Sequence, residues 1–163
     1  RQLAILFMVV FLMVLTLLFT SFRSLKRALL VLLNVPFAIV GGIIALLLLR
    51  ENLSVSSLVG FIALFGISVQ NGIILIAHIH ELRSQGMSLE EALLEGSSTR
   101  LRPILMTAVV TMLGVFPLAI GQFVGAELQR PMAIVYIGGL LLSSAFNILV
   151  LPALYHIFEG RKV

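Results

Sequence analysis

Cysteine is absent from this 163-residue chain, so it forms no disulfide and offers no thiolate to a metal, and it carries no mark of a redox compartment. Charge is almost as scarce. Only 11% of the residues are charged, against 60% hydrophobic. No Asp, Glu, Lys or Arg interrupts five apolar runs of about 20 residues, the length that crosses roughly 30 Å of hydrocarbon. The usual intramembrane proton carrier, a carboxylate, is therefore missing from every run. Lysine is missing from them too, and the histidines stand near run ends. That excludes the nucleophile with its base, or the deep metal pair, that an intramembrane enzyme needs.

What is present defines the class. The runs span 3–22, 28–49, 55–80, 104–121 and 132–158, and they predict an all-α fold: a polytopic membrane helical bundle of five transmembrane helices in one domain covering 1–163. The first run is too long for the apolar core of a signal peptide, and Arg23 and Lys26 follow it rather than a small-residue cleavage site. A chain that opens directly in a span, without an initiator Met, reads as a piece of something longer. Its net charge of +4 does not indicate nucleic acid, since the bases sit at helix ends instead of on one solvent face. Alternating the loops puts Arg23, Lys26, Arg27, Arg83, Arg100, Arg102, Arg161 and Lys162 on one side and Arg1, Arg50 and Arg130 on the other. The positive-inside rule then places the N-terminus outside and the C-terminus in the cytoplasm.

The third run carries the most informative residues. Ser68, Gln70 and Asn71 lie near its middle, where an amide facing lipid has no water to bond. At about 100° per residue, Ser68, Asn71, Leu75 and His78 fall on one side and Ala63, Gly66, Gln70 and Ala77 on nearly the opposite one. Both sides call for protein neighbours, which predicts a central helix wrapped by the other four.

The remaining polar and special residues admit plainer readings beside sharper ones. Met8 and Met13 lie about 140° apart around a helix, better suited to packing than to a soft metal. Pro36 cannot donate to the carbonyl of Leu32, so a bend is predicted there, with Asn34 serving the freed backbone. Gly41 and Gly42 permit close approach of a neighbour. Ser88 with Glu91 forms a capping box and Gly96 a stop, predicting a short surface helix over 88–95. Pro103 then suits the first position of the next helix. Arg100 and Arg102 oppose that helix's dipole; lipid phosphate accounts for them, or an acidic partner in a proton relay does. Thr107, Thr111 and Gly114 share a stripe, and Thr107 either bonds back to its own helix or joins Gln70 and Asn71 in a polar cluster. Gly139, Ser143 and Asn147 form a small-residue packing seam, and Pro152 bends the last helix. His78 and His80, two apart, point to different sides and cannot readily share an ion, so no metal site and no cofactor is assigned.

Three blocks, GFIALFGISVQNGIILIAHIHELR, TRLRPILMTAVVTMLGVFPLAIG and GAELQRPMAIVYIGGLLLSSAFNILVLPALYHIFEG, closely resemble the C-terminal membrane half of resistance-nodulation-division (RND) efflux pumps. The GAELQRP and IGG motifs look most like the heavy-metal efflux subgroup. The resemblance covers essentially the whole chain and implies a proton-driven antiporter subunit of the bacterial inner membrane. It implies a homotrimer, served by a periplasmic adaptor and an outer-membrane channel, with the N-terminal half and porter domain lying outside this segment. In the drug-exporting branch a relay lysine stands where this chain has Gln70, while the relay's arginine and threonine match Arg100 and Thr107. The relay acids of the family lie on a helix outside this segment. The resemblance leaves two alternatives: a drug- or lipid-exporting pump, and a scaffold in which these polar residues serve packing alone.

Overall fold

The computed structural model describes residues 2–121 and 124–160. Among them the regular structure is all helical: α1 (Gln2–Phe22), α2 (Leu25–Leu32), α3 (Asn34–Leu48), α4 (Val55–Ser84), α5 (Leu89–Ile120) and α6 (Ala126–Ala145), a π-helical turn (Phe146–Val150), and α7 (Leu151–Gly160). Leu25–Leu48, Val55–Ser84, Leu89–Ile120 and Ala126–Phe158 are each long and apolar enough to cross a membrane. At 21 residues, α1 reaches about 31 Å and is long enough as well.

The third span, α4, packs on α2, α3, α5 and α6 but makes no substantial contact with α1 among the described residues, so three of the other four spans wrap it; α6 packs on α3, α4 and α5, most extensively on α3. Glycine permits that α3–α6 approach. A Cβ on Gly41 of α3 would stand 2.5 Å from the carbonyl oxygen of Gly138, and one on Gly139 of α6 would collide with Leu64 and lie 2.8 Å from the Ala38 carbonyl. With hydrogen in place of a side chain, the α3 and α6 backbones touch, and dispersion contact replaces the hydrophobic drive that lipid cannot supply. In contrast, α1 is nearly uncovered: Met8 and Met13 are each 59% exposed, so neither packs within this chain, and Leu18 is its one buried side chain among those described.

Three boundaries depart from the sequence reading. First, no separate surface helix spans 88–95. The capping box forms, with Ser88 Oγ accepting from the Glu91 N–H and Glu91 receiving the Ser88 N–H at 3.1 Å, but α5 runs unbroken to Ile120. Gly96 does not stop it because its bare Cα is pressed against Ile79, which holds the turn in helical geometry. Pro103 consequently lies inside α5 rather than at its start. Second, the last span begins at Ala126, six residues before position 132, with Gly125 at φ +91° leading into it. Third, the second span begins at Leu25 rather than 28; it is interrupted at Leu33 ahead of Pro36, where the bend is predicted, but Asn34 bonds to Ser68 rather than to the carbonyl that Pro36 leaves free.

Candidate functional site

Two polar centres lie between the helices. One is sealed. Asn34, Ser68 and Ser143, all fully buried, bring α3, α4 and α6 together. Asn34 Nδ2 donates to the Ser68 carbonyl oxygen at 2.8 Å, and Ser143 Oγ lies 3.2 Å from both Asn34 Oδ1 and Ser68 Oγ. Every member has a partner, which is the condition under which a buried polar network ties helices together instead of costing stability. The sequence alone assigns Asn34 to its own backbone. Its position two turns before Gly41, on the face that meets α6, is the sign of a contact between helices.

Beyond this network Asn147 sits within the π-turn, which is closed by the Leu151 N–H bonding to the Phe146 carbonyl. Asn147 is fully buried, yet neither Oδ1 nor Nδ2 has a partner among the described residues, and Ser144 Oγ and Tyr155 Oη are in the same condition. A π-turn marks strain in a helix and recurs at functional sites. Pro152, two residues past it, lacks the N–H for an α-helical bond back to the turn, so the predicted disturbance is real but is a widened turn.

The second centre is open. Asn71, Ile74, Arg100, Pro103, Ile104 and Thr107 enclose a cavity of about 80 Å³ on the seam between α4 and α5. Asn71 is 9% exposed. Arg100 is partly buried, its Nε is shielded from solvent, and that N–H has no acceptor among the described residues. Thr107 Oγ1 donates to the Pro103 carbonyl at 2.9 Å, the plainer of the two readings offered for it, while its residue stays exposed at the cavity mouth. Gln70 is not in this group: it is exposed and does not line the cavity, so the third span presents one amide to the bundle and the other away from it. Of the packing residues, Gly139 lies against Leu64, Ser143 bonds as above, and Asn147 is buried without a bond.

Metal ligands are sparse. His78 Nδ1 lies 3.8 Å from Glu81 Oε2, one turn along α4, and no group of three or more His, Cys, Asp or Glu side chains gathers among the described residues.

The described helices thus form a bundle long and apolar enough to span a membrane, with a small basic, hydroxyl- and amide-lined cavity between two of the spans. The chain belongs to the AcrB/AcrD/AcrF family, which it matches over residues 1–159. Its relatives specify the branch. It is 48% identical over 153 residues to the cobalt-zinc-cadmium resistance protein CzcA of Cupriavidus metallidurans, covering 94% of this chain and 14% of that protein. It is 41% identical to the nickel and cobalt resistance protein CnrA of the same organism, covering 99% of this chain and 15% of that one. The crystal structure of a heavy metal efflux pump superposes with a TM-score of 0.86 at 45% identity, over 99% of this chain and 16% of that one. The chain thus matches RND heavy-metal efflux transporters while spanning about one-seventh of their length.

Proposed function

We propose that this chain is part of the membrane domain of a heavy-metal cation efflux pump driven by proton antiport, and that the α4–α5 cavity is its share of the proton path. The observation that carries the proposal is Arg100. A guanidinium N–H shielded from solvent and without an acceptor is costly at membrane depth, and the partner that best relieves it is a carboxylate. No Asp or Glu in any of the apolar runs can fill that role. In this reading the acid comes from outside these residues and reaches Arg100 through the open side of the cavity, where Thr107 stands. Protonation of that acid weakens its pairing with Arg100, and the swing between paired and unpaired states is the step that couples proton entry to movement of α5 against α4.

In the same reading the pump lies in the bacterial inner membrane with the basic Arg23, Lys26, Arg27 and Arg83 end in the cytoplasm. It works as a homotrimer with a periplasmic adaptor and an outer-membrane channel, and it is not an enzyme. The test is metal resistance in cells carrying the full-length pump. Arg100→Gln and Asn71→Ala are expected to lower resistance at least tenfold with membrane abundance unchanged. Resistance equal to wild type in both removes the cavity from the mechanism. One observation favours a scaffold role for a single member: the Thr107 hydroxyl is already satisfied by Pro103, so a loss of abundance rather than of resistance in Thr107→Ala assigns it to packing.

A further inference from the structure

A groove of about 860 Å³ opens at the end of the bundle away from the basic loops, walled by Ala45 and Leu48 of α3, Phe116 and Ala119 of α5, and Ile134 and Leu141 of α6, with Gly41 and Gly138 as its floor. Its volume lies within the range of about 300–1,000 Å³ typical of sites that bind small molecules. All of its walls belong to helices long enough to span a membrane, and its lining is apolar apart from one residue. One charged residue lines it, Arg130. Arg130 Nε lies 3.1 Å from Glu51 Oε1, and both side chains retain exposure, 41% and 25%. Glu51 is fixed there by the turn after α3: Arg50 takes a left-handed φ of 54°, and the Glu51 N–H donates to the Leu46 carbonyl at 3.0 Å.

An apolar trough that ends in one cation beside one anion is complementary to an amphiphile with acyl chains and a zwitterionic head. We propose that the groove is a binding site for a phospholipid of the phosphatidylethanolamine class. Its acyl chain lies along Ala45, Ala119 and Leu141, its phosphate accepts from the Arg130 guanidinium, and its primary ammonium donates to the Glu51 carboxylate. The head-to-rim pairing is specific. A quaternary ammonium cannot donate to Glu51, and a purely anionic head sets its charge against that carboxylate. Lipid held here wedges the ends of α3, α5 and α6 and fixes the spacing of α5, the least buried of the four longest spans, against α6. The inference needs only that these helices span the bilayer and stands apart from the proton path.

The test is native mass spectrometry of the full-length pump, delipidated and titrated with phosphatidylethanolamine and phosphatidylglycerol of identical acyl chains. Wild type is expected to retain phosphatidylethanolamine in preference by at least about tenfold, the scale of one lost charge-assisted bond. Glu51→Gln is expected to invert the preference, since the carboxylate that repels an anionic head is gone while Arg130 remains. Arg130→Gln is expected to weaken both lipids. Ala119→Phe fills the trough without touching the ion pair and is expected to abolish retention of either. Equal retention of the two lipids by wild type, or an unchanged preference in Glu51→Gln, overturns the proposal. The Glu51→Gln variant decides the matter if Ala119→Phe proves unstable, because glutamine keeps the size of the glutamate it replaces and the site is a turn outside the helices.

Discussion

Ser143 and Asn147 stand one turn apart on the last span, and only Ser143 finds partners: it lies 3.2 Å from both Asn34 and Ser68, while the fully buried Asn147 amide has none among the described residues. The two residues therefore differ in what their removal does. Ser143 holds a network together; Asn147 is a buried polar group that the fold would be better off without.

Ser143→Ala leaves Asn34 Oδ1 buried without a donor and is expected to destabilise the full-length pump by about 1–3 kcal/mol. Asn147→Leu, of similar size, removes an unsatisfied amide and is expected to leave stability unchanged or raised by about 1 kcal/mol. Thermal unfolding of the two variants in detergent checks the contrast. A resistance assay beside it asks a separate question: a stable Asn147→Leu pump that no longer exports assigns the π-turn to the transport cycle.

Gly139→Ala places a methyl group onto Leu64 and the Ala38 carbonyl, and it is expected to reduce the folded pump in membranes at least fivefold. Gly114→Ala meets nothing within 4 Å in this chain and is expected to be tolerated, with a gain of about 0.5–1 kcal/mol from helix propensity. Immunoblots of membrane fractions compare them. A collapse of Gly114→Ala reveals a neighbour from outside these residues pressed against α5.

Leu94 and Leu113 are exposed at 75% and 66% on a single unbroken helix, nineteen residues apart. Spin labels at these two positions are expected to report one narrow distance near 28 Å whether or not metal and a proton gradient are present, at about 1.5 Å per residue. A second, shorter population would show that Gly96 or Pro103 acts as a joint after all.

Ser88→Ala removes the hydroxyl that caps α5 and is expected to cost about 1 kcal/mol locally. Because the helix is fastened elsewhere by Ala92, Leu93 and Gly96, faster amide exchange is expected over 88–92 alone, with no change beyond Gly96. Exchange spreading into the apolar part of α5 would mean that the cap nucleates the whole helix.

Much of this was legible in the residues. Apolar length alone located the spans, the Gly41–Gly42 pair announced the closest helix contact, and the Ser88–Glu91 spacing gave the cap. The resemblance of three long blocks indicated the family. What stayed hidden were choices that depend on neighbours. Gly96 reads as a stop until Ile79 is seen against it. Asn34 reads as a patch for Pro36 until Ser68 and Ser143 are seen within reach. Gln70 and Asn71 read as opposite sides of one helix that both call for a protein neighbour, yet only the Ser68–Asn71 side is covered among the described residues, while Ala63, Gly66 and Gln70 are exposed. The π-turn has no local signature in the residues besides Pro152.

The glycine contact between α3 and α6 has a mechanical meaning. Two backbones that meet at Gly41 and Gly138 have no rotamers between them to rearrange, so the pair has no cushion to compress and no side-chain gear to shift. Whatever strokes this machine makes, those two rods must travel as one casting, and the give has to come from the thinly covered α1 and α5 on its flanks.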